Sequence, residues 1–217
     1  MRYSCLILDH DDTVVNSTAT IHYPAFAAYM KRYHGGTDIT LDEYFAGNFD
    51  PGVVPYFTDI VGMTKEELPR EESFWKEFVK DHIPASYPGI RELLWRFQAA
   101  GGSLFVASHS FDFYIQRDYD ANGLPKPERI FGWELPKEHR KPSPYAIETI
   151  ERDYHIPRSE MLVVDDLKPG FEMARLAGVD FAAAGWANDI PSIESFMRAH
   201  SDYYFKTVDA FSAFLGI

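Results

Sequence analysis

The chain of 217 residues is 46% hydrophobic and 16% aromatic, enough apolar material for a full-sized core and a small second one, which excludes collagen-like, low-complexity and wholly disordered organisations. Its 21 Lys and Arg stand against 33 Asp and Glu, a formal net charge of −12 with neutral histidines, so nucleic-acid phosphate and anionic membrane surfaces would repel it. The single cysteine, Cys5, cannot form an internal disulfide, and no apolar run reaches the length of a membrane span or a signal peptide, so a cytoplasmic protein is expected.

In chain order, strands are predicted at 3–9, 103–108, 129–131, 161–165, 180–184 and 203–205. Their alternation with helical segments predicts an α/β protein built on a parallel sheet. The stretch between the first two strands is far too long for an ordinary crossover, and its periodicity is helical. Pro24 suits a first helical position, with Phe26, Tyr29, Met30 and Tyr33 following on one face until Gly35-Gly36. Thr40-x-x-Glu43 and Thr64-x-x-Glu67 read as capping boxes, each opening a further helix, the second limited by Pro69. Phe74, Trp75, Phe78, Val79 and His82 mark another helix that stops before Pro84, with His82 in a packing role. Pro88-Gly89 then returns the chain to the main pattern. Residues 16–85 are therefore expected to form a helical insert, and residues 1–15 with 86–217 the main domain. An insert hinged at the first strand's carboxyl end sits where ligands bind in open α/β sheets and would make a lid.

The first strand runs into Leu8-Asp9-His10-Asp11-Asp12-Thr13-Val14. Side chains alternate along a strand, so Asp9 and Asp11 project to the same side and His10 to the other. At about 7 Å and an effective dielectric of about 20, the two carboxylates would repel by roughly 2 kcal/mol, a cost that a bound cation removes. Met161-Leu162-Val163-Val164 leads likewise into Asp165-Asp166, adding acids to the same edge if the sheet is parallel. An oxygen-rich pocket without a histidine or cysteine cluster suits Mg²⁺ rather than zinc. Ser108, at the end of the second strand, can donate to a phosphate oxygen, and the backbone N–H of His109 could reach the same group. Lys141, in Arg140-Lys141-Pro142-Ser143-Pro144, could neutralise phosphate charge and restrain carboxylate repulsion.

These four motifs, in this order, resemble the haloacid dehalogenase superfamily of phosphohydrolases, in the branch whose helical cap follows the first motif and which includes phosphoglycolate phosphatases and β-phosphoglucomutase. Asp9, Asp11, Thr13 and Val14 match its Asp-x-Asp-x-Thr opening, Ser108 its second motif and Lys141 to Pro144 its Lys-Pro-x-Pro. Asp165-Asp166 followed by a helix closing in Ala177-Gly178 matches its fourth, with Asp166 at the metal-binding position. Asp12 stands where Gly is common, and Leu167 and Gly170 where many members carry Ser and a second Asp. The resemblance implies a Rossmann-like, doubly wound parallel sheet with a smaller all-helical cap.

It further implies Mg²⁺-dependent hydrolysis of a small phosphorylated metabolite. Asp9 would be the nucleophile and Asp11 the general acid and base. Ser108, His109 and Lys141 would bind phosphate, and Asp9, Asp166, Asp165 and the backbone carbonyl of Asp11 would hold the metal. Two rival readings remain at this stage. A sugar-phosphate mutase would use the same two aspartates, and a phosphate-accepting signalling module gathers similar groups, but with its lysine after the final acidic motif and without a helical insert.

Overall fold

The computed structural model describes residues 2–217. The run Cys5–Leu8 is apolar at every position and buried on both faces, as the central strand of a parallel sheet must be. This strand, β1, is flanked by β2 (Ser103–Ala107) and β4 (Met161–Asp165); β3 (Arg129–Phe131), β5 (Asp180–Ala184) and β6 (Tyr203–Phe205) complete six parallel strands in the order β3-β2-β1-β4-β5-β6. The order reverses direction at β1, which makes the carboxyl edge around β1 the switch point of a doubly wound sheet.

Ten helices accompany the strands among the described residues: α1 (Tyr23–Tyr33), α2 (Leu41–Phe49), the single turn α3 (Val53–Pro55), α4 (Leu68–Val79), α5 (Ile90–Ala99), α6 (Asp112–Ala121), α7 (Tyr145–Tyr154), α8 (Lys168–Ala177), α9 (Pro191–His200) and α10 (Val208–Leu215). Strand alternation sends Leu6 and Leu8 to one face, where they meet Leu93, Leu94 and Phe97 of α5, Ile115 of α6 and Phe211 of α10. Cys5 and Ile7 go to the other, against α7, α8 and α9 through Ile147, Met173 and Ile193. Cys5 is thus a core residue.

The segment between β1 and β2 is helical and has a cluster of its own, formed by Phe26, Tyr29, Met30, Tyr44, Tyr56 and Phe57. The chain leaves and rejoins the sheet side by side, with the Asn16 N–H donating to the Ala85 carbonyl at 2.9 Å and the Tyr87 N–H to the Val14 carbonyl at 3.1 Å. Phe45 and Phe49 of α2 pack into the cluster on the α8–α9 side of the sheet. Thr40 and Glu43 form the capping box expected of them.

Three local readings are corrected. Helical backbone begins at Thr18 in a wide π turn, before Pro24. Tyr33, at the last turn of α1, is 41% exposed, its ring meeting only the rim of the aromatic cluster, 4.8 Å from that of Tyr29 and 6.3 Å from that of Phe74. Thr64 and Glu67 make only half a capping box, and one helix, α4, starts at Leu68 with Pro69 in its first turn, where a missing N–H costs nothing. His82 lies beyond α4 and stacks on Phe78 at 4.2 Å. No helix among the described residues is long and apolar enough to cross a membrane.

Candidate active site

The register decides what meets at the carboxyl edge. Leu8 lies opposite Val164 on one side and Val106 on the other, and the Asp9 N–H still donates to the Val164 carbonyl at 2.8 Å. One residue further along each strand, Asp9 and Asp165 are neighbours. Carboxylate oxygens of Asp9, Asp165 and Asp166, all three residues buried, lie within 4.8 Å of one another.

Lys141 reaches this cluster from the loop before α7. Its ammonium is 2.9 Å from Asp9 Oδ1 and 2.6 Å from Asp165 Oδ2, with 5% of its side chain exposed. At such separations and an effective dielectric of about 20, each carboxylate pair repels by about 3 kcal/mol. One ammonium shared among three carboxylates leaves the cluster two charges negative. The consequences are consistent: burial and Asp9 push the Asp165 carboxyl up to about 7 against the pull of Lys141, and burial with Asp12 and Asp165 pushes Asp166 well above its ordinary value. For Lys141 burial acts downward, but Asp165 and Asp9 outweigh it and hold the ammonium charged. Buried, oxygen-only and short of positive charge, the cluster fits a hard divalent cation.

The two acids of the last motif are not equivalent. Asp165 spends one oxygen on Lys141 and the other on the Leu167 N–H at 2.7 Å, so it orients the lysine and caps the turn into α8. Asp166 makes only a long contact with the Thr13 hydroxyl, at 3.4 Å. Gly170 lies directly over Asp165: a Cβ there would fall well inside contact distance of Asp165 Oδ2. The glycine at 170 is what gives the Asp165 carboxylate its room.

Ser108 is buried where β2 ends, its N–H donating to the Phe131 carbonyl at 3.0 Å and its hydroxyl accepting from the Ser110 N–H at 3.1 Å. His109 is exposed, and its ring Nε2 bonds the Lys141 carbonyl at 3.0 Å, which ties the second motif to the lysine loop. Asp12 has a left-handed φ of 57°, a conformation Asp tolerates better than most residues, and it accepts from the Thr18 N–H at 3.1 Å.

Asp11 stands apart from the Asp9–Asp165–Asp166 cluster. One oxygen bonds His22 Nε2 at 3.0 Å and the other accepts from the Ser110 hydroxyl. Burial would raise this carboxyl, yet His22, with help from His10 and Ser110, holds it well below the usual carboxylate range. Burial lowers the His22 pKa while Asp11 and Asp12 raise it, and the net direction is upward. Hydrogen-bond geometry opposes that direction and decides the tautomer: His22 Nδ1 accepts from the Trp75 indole N–H at 2.8 Å, so Nδ1 is unprotonated and Nε2 carries the proton given to Asp11. Ser110, His22 and Trp75 were not among the residues assigned to chemistry from the sequence. The signal for Ser110 was its place two residues after Ser108. For Trp75 it was an indole on a helix face with no charge to explain it.

With this geometry, the comparisons with known proteins are decisive for the family. The model of the haloacid dehalogenase-like hydrolase family matches residues 6–184. The chain belongs to the haloacid dehalogenase-like hydrolases. No curated protein matches the sequence. Among solved structures, a haloacid dehalogenase-like hydrolase from Bacteroides fragilis is 21% identical with a TM-score of 0.79, covering 96% of this chain and 99% of that one. A predicted phosphoglycolate phosphatase from Haemophilus somnus is 17% identical with a TM-score of 0.75, covering 100% and 98%. A hydrolase of the same family from Deinococcus radiodurans, solved with bound phosphate and sodium, is 18% identical with a TM-score of 0.74, covering 99% and 96%. These likenesses extend the haloacid dehalogenase-like fold over the whole chain. The protein is an enzyme of the hydrolase class, and its buried aspartates could hold a metal.

Proposed function

We propose that this hydrolase cleaves a small phosphorylated metabolite, a phosphomonoester, with Mg²⁺ as its metal and an aspartyl-phosphate on Asp9 as its intermediate. The observation that carries the reading is Lys141 bonded to both Asp9 and Asp165, beside Asp166 and one strand from Ser108. In this reading residues 16–85 are a cap over the sheet edge, and the net charge of −12 and the buried single cysteine suit a cytoplasmic enzyme with no nucleic-acid or membrane partner.

Asp9 attacks phosphorus in line while the bond to the leaving oxygen breaks, and the departing alkoxide takes its proton from Asp11. Water then attacks the acyl phosphate, Asp11 accepts its proton, and phosphate leaves with Asp9 regenerated. Lys141, the Ser108 hydroxyl and the His109 N–H bind the nonbridging oxygens. The Ser110 and His22 donors stabilise the Asp11 carboxylate left once its proton has gone to the leaving group, the form the second step needs. Asp9, Asp166 and the Asp11 carbonyl would hold Mg²⁺, with Asp165 beside them, and the ion when bound neutralises phosphoryl charge.

A mutase would have to hold a second phosphoryl group in the cap. The cap groups tied to Asp11 are the neutral His22 ring and the Trp75 indole, with Glu71 one helical turn from Trp75, a set that offers no positive charge to hold phosphate. Hydrolysis is therefore the reading retained. A panel of phosphorylated metabolites assayed with Mg²⁺ and with EDTA tests it. Metal-dependent phosphate release from at least one ester, lost in Asp9→Asn, supports it; release that survives EDTA or Asp9→Asn refutes it.

A further inference from the structure

His10 and Asp11 are adjacent in sequence, point to opposite sides, and are both tied to the same helix. On one side Asp11 is bonded to His22, and His22 to Trp75 of α4. On the other, the His10 ring, 1% exposed, bonds Asp118 Oδ2 at 3.1 Å, and Asp118, 3% exposed, is held by Arg117, whose Nε lies 2.8 Å from Oδ1. Arg117 Nη2 also lies 2.7 Å from Asp118 Oδ1, and the guanidinium donates further to the carbonyls of Val79 at 2.8 Å, Lys80 at 3.4 Å and His82 at 3.1 Å, at and just beyond the carboxyl end of α4. The contacts close a circuit that leaves α4 through Trp75 and returns to it through Arg117, with the His10–Asp11 peptide in the middle.

The backbone around that peptide has little freedom to absorb a shift. The His10 carbonyl accepts from the Val14 N–H at 2.9 Å and the Val15 N–H at 3.1 Å, so the turn after β1 is closed on itself and any rotation is passed to its side chains. The neighbouring Asn122 adds a second tie from the end of α6, donating to the Pro84 carbonyl at 3.0 Å and accepting from the Ser86 N–H at 2.8 Å, at the point where the insert rejoins the sheet. A carboxylate and an imidazole packed this deeply, beside a half-buried guanidinium, are expensive to desolvate, and apolar residues of similar size would cost less. Nothing in the chemistry assigned to Asp9, Ser108 or Lys141 requires them.

We infer that Asp118 is a positioning residue for the acid–base group Asp11, acting through His10 on one side and through Arg117 and α4 on the other. The inference rests on the acid–base role proposed for Asp11 above. Asp118 touches no reacting atom; it fixes the direction of His10, and with it the plane in which the next side chain meets the leaving group. A misdirected Asp11 slows the first step only for departures that need a proton, and slows water attack on the aspartyl-phosphate for every ester alike.

The test compares two leaving groups on the full-length protein with Mg²⁺: the best alkyl phosphate from the metabolite panel, whose alkoxide must be protonated, and p-nitrophenyl phosphate, whose phenolate leaves without a proton. In Asp118→Asn, kcat/KM, which reports the first step, is expected to fall by about tenfold to a hundredfold for the alkyl ester and by less than about threefold for p-nitrophenyl phosphate, while the second step, common to both, lowers kcat on both. The double variant His10→Leu with Asp118→Leu removes both buried partners together, keeps a packed interior, and should show the same split. Equal losses of kcat/KM on both substrates, or no loss on either, overturn the inference while leaving the phosphomonoesterase reading in place. A wild-type protein that turns over neither substrate removes that reading and this inference with it.

Discussion

The Lys141 ammonium lies 2.9 Å from Asp9 Oδ1, although the two residues are 132 positions apart in the chain. Among the described residues it is the one cation paired with this group of three buried carboxylates. Replacing it should damage both chemistry and stability. Lys141→Ala is expected to lower kcat by about a hundredfold to a thousandfold, since it removes a charge aimed at the transferring group. Its Tm should also fall, because the carboxylates lose their counter-ion. Lys141→Arg should not restore activity, the planar guanidinium being unable to replace a point charge between Asp9 and Asp165. Steady-state kinetics and a thermal melt on each variant check this.

Gly170→Ala tests the same contact from the side of α8. The added methyl collides with the Asp165 carboxylate, which must turn away and release Lys141. Activity should drop by about tenfold or more although alanine is the better helix former. Unchanged kcat would show that Asp165 does not orient the lysine.

Glu71, in the first turn of α4, supplies a pH-dependent signature. Burial pushes its carboxyl up to about 7, with Glu72 adding to the rise. A carboxyl whose folded value lies above its unfolded value of about 4.3 supports the fold when protonated, and that support is lost as pH rises toward and through about 7. Glu71→Gln should therefore match wild type at pH 4 and exceed it at pH 8. Allowing for partial solvent screening, the gain is about 1–2 kcal/mol, or about 2–8 °C in Tm. Melts at the two pH values measure it.

Much of this arrangement was legible in the sequence, and the parts that were not have a common cause. Runs such as Cys5–Leu8 and Met161–Asp165 announce buried parallel strands because both faces must be apolar, and an acid directly after such a run marks the carboxyl edge. Strand alternation alone also set His10 apart from Asp9 and Asp11. The partners of Asp11 were not readable in this way. Ser110 is 99 positions away and reaches Asp11 only through the pairing of β1 with β2, and His22 and Trp75 come together only when α4 packs on the π turn before α1. Asp118 left a faint trace, a charged residue on the face of α6 shared with buried Ile115 and Tyr119. The start of α4 was misjudged because Thr64 and Glu67 fit a capping pattern, while Pro69 fixed the first turn further along.

Metal removal gives a reading independent of turnover. Magnesium at about a hundredfold excess over its Kd should stabilise the wild-type protein by about 3 kcal/mol, raising Tm by roughly 5–10 °C, and EDTA should reverse the shift. In Asp166→Asn most of that shift should disappear. In Asp11→Ala it should persist, since Asp11 would serve the metal only through its backbone carbonyl.

The most direct measurement is mass spectrometry of the protein quenched in acid during turnover of its best phosphate ester, with the modified peptide sequenced. The mass of one phosphoryl group on Asp9, absent in Asp9→Asn and accumulating in Asp11→Ala, is the expected result. A phosphoryl group on another side chain, or full turnover in Asp9→Asn, would contradict nucleophilic catalysis by Asp9.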